Sequence, residues 1–148
     1  MAVSNVLLDV NVLIALLWPE HEFHVRAQRW FGEYAGQGGG WATCPTTQIG
    51  FVRIVSNPAF SRRGVSARDA LGVLRASLGH PAHHFWTEDI GIAQAFAYLE
   101  KKIVGHQHVT DAYLLGLAIH KKGKLASFDE GMRSLLPEGR EATRLVSP

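Results

Sequence analysis

Asp9 is the residue of this chain whose position most strongly suggests chemistry. It ends the apolar run Val6–Leu8 and is followed at once by the apolar segment Val10–Leu17, in which Asn11 is the polar exception. The pattern predicts a buried strand that passes directly into a helix, where an unpaired charge would cost several kcal/mol. Because ligands bind at the carboxyl ends of strands in open parallel sheets, Asp9 is a candidate functional residue. The alternative is that Asp9 only caps the following helix.

Two further aspartates occur in similar settings. Asp129 follows a predicted strand, and Asp111 lies in the first turn of a helix that is otherwise strongly apolar. Each of them alone is explained equally well as a helix cap. Together with Asp9 they predict a cluster of carboxylates at one sheet edge, whose mutual repulsion raises their pKa values unless a cation offsets it. Hard divalent cations, chiefly Mg²⁺ and also Mn²⁺, fit such oxygen ligands.

Strand-like and helix-like segments alternate along the chain, which predicts an α/β fold with a mainly parallel sheet. The predicted strands cover residues 6–8, 41–44, 83–86, 124–128 and 142–146. The predicted helices cover residues 10–17, 21–34, 45–55, 66–78, 90–99, 108–122 and 131–136. This order brings Asp9 and Asp129 to the same edge of the sheet, with the start of the helix that carries Asp111 nearby.

Length and composition restrict the class of protein. The chain has 148 residues, 47% of them hydrophobic and 19% charged, so we expect one globular domain over residues 1–148. A net charge of +2 permits a nucleic-acid partner without requiring one. Cys44 is the only cysteine, which rules out an intramolecular disulfide and favours a reducing compartment. The interrupted apolar N-terminus predicts neither a signal peptide nor a membrane span, and we expect a cytoplasmic protein.

Several segments resemble the motifs of one nuclease family. Residues 6–16 are similar to the opening motif of PIN-domain ribonucleases, in particular the VapC-type toxins of bacterial toxin–antitoxin modules. Residues 46–53, 109–115 and 127–129 follow in the order and setting of the other family motifs, so the likeness spans essentially the whole chain. It implies a single PIN-like nuclease domain with three α/β/α layers.

The resemblance also implies roles for the three aspartates. Asp9 and Asp111 would be the main Mg²⁺ ligands, and Asp129 would complete the catalytic site directly or through metal-bound water. The metal would lower the pKa of a water molecule and offset charge on an RNA phosphodiester during endonucleolytic cleavage. The polar residues expected around these ligands are Asn11, Gln48 and Thr110.

Gln48 is a departure from the family pattern, which usually has a glutamate at this position. An amide brings no negative charge and cannot act as a base, so the number of metal ions is left open. Three other carboxylates are candidates to replace the missing glutamate, although each is explained more simply as an exposed or helix-start residue: Glu88, Asp89 and Glu130.

Arg53, Arg62 and Arg63 are candidate contacts to RNA phosphates. A solvated helix face with scattered basic residues explains each of them equally well. The family resemblance further implies an RNA substrate, a cognate VapB-type antitoxin and a homodimer. It does not identify which RNA is cleaved.

Two other functions compete with this hypothesis. Phosphatases of the haloacid dehalogenase type also present an aspartate at the end of the first strand, as a nucleophile, but they need a second aspartate where this chain has Asn11. A nucleic-acid-binding PIN-like protein with weak catalysis is the other alternative, which Gln48 permits.

Overall fold

Parallel strands form the central sheet of the protein. A computed structural model describes residues 5–99, 105–139 and 144–148. In these residues the sheet has five strands in the order β3-β2-β1-β4-β5, all of them parallel to their neighbours. The strands are β1 (Val6–Leu8), β2 (Trp41–Thr43), β3 (His83–Phe85), β4 (Lys124–Ala126) and β5 (Leu145–Val146).

The helices occupy the segments between the strands. They are α1 (Val10–Leu17), α2 (His24–Gly36), α3 (Pro45–Val55), α4 (Ala67–Leu78), α5 (Ile92–Ala97) and α6 (Val109–His120). Short 3₁₀ helices cover His106–His108 and Glu130–Leu135. The segment predicted as a helix over residues 131–136 is therefore a 3₁₀ helix, and α5 is shorter than predicted. The first residues of the predicted last strand, 142 and 143, lie outside the described residues.

Side-chain alternation along β1 separates two buried cores. Leu7 packs into the core on the α5 and α6 side, whereas Val6 and Leu8 pack into the core under α1, α2, α3 and α4. Successive side chains of a strand point to opposite faces, so a sheet with apolar residues on both faces needs helices on both faces. The prediction of a three-layer α/β/α fold with a parallel sheet is confirmed.

The pairing of β1 with β4 joins distant parts of the sequence at one edge of the sheet. Leu8 is in register with Ala126, and the Asp9 N–H donates a hydrogen bond to the Ala126 carbonyl at 2.9 Å. The chain turns into α1 directly after this bond. Both strand ends therefore deliver their next residues to the same place.

Helix α6 reaches the same edge because it packs closely on α5. A Cβ atom added at Gly116 would lie 2.9 Å from the Ala95 Cα atom and would collide with the Ala95 carbonyl. This close approach requires glycine and fixes the position of α6, whose first turn carries Asp111. None of the helices in the described ranges is both long and apolar enough to cross a membrane.

Candidate metal centre

Asp9 lies at the junction of β1 and α1 and is almost completely buried, with 4% of its surface exposed. Its Oδ1 atom accepts a hydrogen bond from the Val10 N–H, and its Oδ2 atom accepts one from the Ser127 hydroxyl, each at 2.7 Å. The capping and functional interpretations are therefore compatible. One oxygen contacts the first turn of the helix, and each oxygen keeps a further lone pair for another ligand.

The environment of Asp9 disfavours its negative charge. Burial is the main cause and the nearby Asp111 carboxylate the second, and together they raise the pKa of Asp9 from 3.8 to about 6. The hydrogen bonds from Ser127 and Val10 act in the opposite direction, and Asp129 makes a smaller raising contribution. A raised pKa of this kind is expected for buried carboxylates that repel one another when no cation lies between them.

Asp111 and Asp129 lie on either side of an imidazole. The Nδ1 atom of His108 is 3.4 Å from Asp129 Oδ2 and 3.8 Å from Asp111 Oδ2. One ligand atom from each of these three residues lies within 4.8 Å of the other two. Burial, followed by the charge of Asp129, raises the pKa of Asp111, and His108 partly counteracts this. His108 was missed by the sequence reasoning, which used it only to mark the start of a helix.

Asp9 and Asp111 line one surface pocket of about 330 Å³. Asn11, His21 and Phe60 are among its other lining residues. The pocket gives a ligand access to the two carboxylates whose pKa values burial raises.

Ser127 connects the three polar positions that surround the strand ends. Its Oγ atom donates to Asp9 and accepts hydrogen bonds from the Asp129 N–H at 3.0 Å and from the Asn11 amide at 3.4 Å. The Asn11 Oδ1 atom accepts a further bond from the Phe128 N–H at 3.4 Å. Ser127 is buried, and it fixes the relative positions of Asp9, Asn11 and Asp129. A hydroxyl two residues before Asp129, at the end of a predicted strand, is the sequence signal that could have revealed Ser127.

Asp129 also caps the 3₁₀ helix that follows. Its Oδ1 atom accepts a hydrogen bond from the Gly131 N–H at 3.0 Å, while its Oδ2 atom faces His108. As at Asp9, the two carboxylate oxygens of Asp129 contact different groups.

Gln48 does not line the pocket of Asp9 and Asp111. Its amide donates to the Thr43 hydroxyl at 3.0 Å, and that hydroxyl lies 2.7 Å from His83 Nε2. Burial lowers the pKa of His83, so its neutral Nε2 atom is available to accept from Thr43. Gln48 lines a separate groove between α3 and α4. Thr110, the third predicted neighbour, is exposed in the first turn of α6.

The three carboxylates considered as replacements for a glutamate have other partners. Glu88 accepts a hydrogen bond from the Thr46 N–H at 2.6 Å. Asp89 pairs with Lys121 at 3.0 Å. Glu130 pairs with Arg133 at 3.3 Å.

The candidate RNA-binding arginines occupy two different surfaces. Arg53 lines the groove between α3 and α4 together with Gln48. Arg62 and Arg63 lie in the turn after α3, in a pocket that also contains His21 and Phe60 and therefore adjoins the pocket of Asp9. Only the second surface is next to the carboxylates.

The donor atoms of the cluster fit a divalent cation. Two carboxylates, Asp111 and Asp129, face one imidazole, and Asp9 lies close enough to interact electrostatically with both of them. Negative charge is therefore in excess, and oxygen atoms with one optional nitrogen suit Mg²⁺ or Mn²⁺.

Comparison with known proteins identifies the family. Residues 6–135 of this chain match the sequence model of the PIN domain family. Ribonuclease VapC39 of Mycobacterium tuberculosis is 40% identical over 126 residues, which cover 85% of this chain and 89% of the relative. Ribonuclease VapC29 of the same species is 42% identical over 132 residues, with 88% and 90% covered.

A solved structure shares the fold. It is the VapBC2 complex from Rickettsia felis bound to a DNA fragment from the promoter of VapBC2. The two chains superpose with a TM-score of 0.65 at 10% sequence identity, and the match covers 97% of each chain. This likeness supports the α/β architecture, while the sequence relatives define the group. The chain therefore belongs to the PIN-domain family, among its VapC-type members.

Proposed function

We propose that this protein is a metal-dependent endoribonuclease and the toxin of a toxin–antitoxin module. The observation that carries the proposal is the gathering of Asp9, Asp111 and Asp129 at one sheet edge, where burial and mutual repulsion raise the pKa values of the first two. The relatives named Ribonuclease VapC support the substrate class.

In this proposal Asp9, Asp111 and Asp129 hold Mg²⁺, or Mn²⁺ in its place. A divalent cation bound there would lower the pKa of a water molecule and offset negative charge on the phosphodiester. Val10 and Ser127 hold the Asp9 carboxylate in one orientation, because each donates to a different oxygen. Losing such a supporting hydrogen bond typically weakens metal affinity or activity by about 10–100-fold.

His108 compensates part of the negative charge of the cluster. In its protonated form it pairs with both Asp111 and Asp129, so it limits their repulsion when no cation is bound. Gln48 does not line the pocket with Asp9, and we therefore propose one tightly held cation.

The partners in this proposal follow from the relatives. The substrate is an RNA, and of the two arginines beside the carboxylates Arg62 contacts its phosphates, whereas Arg63 pairs with Glu20. A VapB-type antitoxin inhibits the enzyme, in keeping with the VapBC complex that shares the fold. We further propose that the active form is a homodimer in the cytoplasm.

The decisive experiment is RNA cleavage by the purified protein with Mg²⁺, with Mn²⁺ and with a chelator. We expect cleavage that needs the cation and is lost in Asp9→Asn. Asp69→Asn, an exposed aspartate in the first turn of α4, is the matched control and retains activity. Binding of RNA without metal-dependent cleavage would instead support the alternative of a catalytically weak binding protein.

A further inference from the structure

A second pocket of about 320 Å³ adjoins the pocket of the carboxylates. Its lining includes Trp18, Phe60, Arg62 and Arg63. It shares His21 and Phe60 with the pocket of Asp9 and Asp111, so the two pockets form one continuous surface.

Two aromatic rings form one wall of this second pocket. The ring centroids of Trp18 and Phe60 are 5.6 Å apart with an interplanar angle of 62°, an edge-to-face arrangement. Both side chains are only partly buried. Because an edge-to-face pair leaves ring surface uncovered, a flat group can stack there.

The turn after α3 brings positive charge to the same pocket. The Ser61 hydroxyl accepts from the Arg63 N–H at 3.2 Å, and Gly64 has a φ of +66°, which closes the turn. The Arg63 guanidinium pairs with Glu20, whose charge it cancels. The Arg62 side chain is exposed and pairs with no acidic residue in the described ranges. One guanidinium is thus engaged and the other is available to an anion.

We propose that this pocket binds one nucleotide of single-stranded RNA, with its base stacked on the Trp18 ring and in contact with Phe60, and its phosphate contacted by Arg62. Stacking on aromatic side chains combined with a basic neighbour is how proteins hold unpaired nucleotides. Every base has a flat face, so the pocket positions the strand beside the carboxylates without strong base preference. The inference rests on the proposed function, since it assumes an RNA substrate.

The proposed nucleotide pocket is tested by measuring the affinity for a fluorescently labelled single-stranded RNA oligonucleotide. A chelator is present so that the RNA is not cleaved. We expect Trp18→Leu and Arg62→Gln each to weaken binding about fivefold or more. Arg62→Gln also reduces the slope of log affinity against log salt by about one. The matched controls are Trp30→Leu, from a stacked Trp30–Tyr34 pair on α2, and Arg75→Gln on α4, and both bind within about twofold of the wild type.

A change in the RNA tests the same idea without depending on the folding of a variant. One abasic site is moved along the oligonucleotide, and one position should weaken binding to the wild type about fivefold. The same abasic site should cause no added loss in Trp18→Leu, which has already lost the stacking ring. Equal binding of all abasic probes, wild-type affinity in Trp18→Leu, or no RNA binding at all would overturn the proposal. If binding is weakened at one abasic position but no metal-dependent cleavage occurs, the nuclease proposal is refuted and the pocket proposal is supported. If cleavage is normal but Trp18→Leu binds RNA like the wild type, only the pocket proposal is refuted.

Discussion

Replacing Asp9 with asparagine should stabilise the metal-free protein at neutral pH. The folded state raises the pKa of Asp9 from 3.8 to about 6, so at pH values above both the ionised side chain costs about 3 kcal/mol, at about 1.4 kcal/mol for each pH unit between them. Asparagine keeps the bond from Val10 but loses the donation from Ser127, which costs about 1 kcal/mol. The expected net gain is about 2 kcal/mol.

The pH dependence of this difference has a definite sign. Because folding raises the pKa of Asp9, the stability that the protonated Asp9 side chain provides is fully present below about pH 4. That stability is lost as the pH rises through about 6 and the side chain ionises in the folded protein. The difference in the free energy of unfolding between Asp9→Asn and the wild type should therefore be smallest at pH 4 and largest above pH 7. Denaturant unfolding with a chelator at several pH values measures it.

Adding Mg²⁺ should reverse the order of stability. A ligand present at about one hundred times its dissociation constant stabilises a protein by about 2.7 kcal/mol, and Asp9→Asn lacks one of the proposed ligands. The control Asp69→Asn should change the free energy of unfolding by less than about 0.5 kcal/mol at every pH. If Asp9→Asn is less stable than the wild type with chelator at pH 7.5, or gains as much from Mg²⁺, the electrostatic reasoning is refuted.

Three further substitutions test other parts of the structure. Ser127→Ala should weaken Mg²⁺ binding about tenfold or more in calorimetric titration, because the buried carboxylate loses the donor that orients it, and unchanged affinity would contradict this. Gly116→Ala should lower the free energy of unfolding by about 1–3 kcal/mol, because the new methyl group collides with the α5 backbone, whereas Gly72→Ala, with open space around it, should be neutral or stabilising. Gln48→Ala should lose about 1 kcal/mol of stability and leave the affinity for Mg²⁺ unchanged in the same titration, and a large loss of affinity would show that Gln48 contacts the metal.

The order of elements and the sheet edge were predictable because they depend on local patterns. Strands β1, β2 and β4 are short, mainly apolar runs, and helix starts carry local signals. Pro45 begins α3, and the hydroxyl of Ser66 accepts from the Asp69 N–H at the start of α4. Asp9 and Asp129 could be placed at one edge because parallel strands share a direction.

The supporting contacts could not be predicted in the same way. The bond between Ser127 and Asp9 links residues 118 positions apart, and the bond between Asn11 and Ser127 links residues 116 positions apart. The approach of His108 to Asp129 depends on how α6 packs against the sheet and α5. Such contacts arise from tertiary packing, which residue spacing does not encode. Capping by Asp9 does not exclude its proposed role as a metal ligand, because only Oδ1 accepts from the first turn of the helix, while Oδ2 accepts from Ser127.

The pairing of β1 with β4 has a consequence for synthesis. A chain emerging from the ribosome presents Asp9 early and Asp111 later, but β4 and Ser127 follow all of α6. Until β4 docks beside β1, Asp9 lacks both the hydroxyl that orients it and the strand that anchors its backbone. Contacts between distant parts of a chain form slowly, because a long loop must close first. The centre is thus completed late, and a partner that binds the growing chain would meet the protein before its carboxylates are assembled.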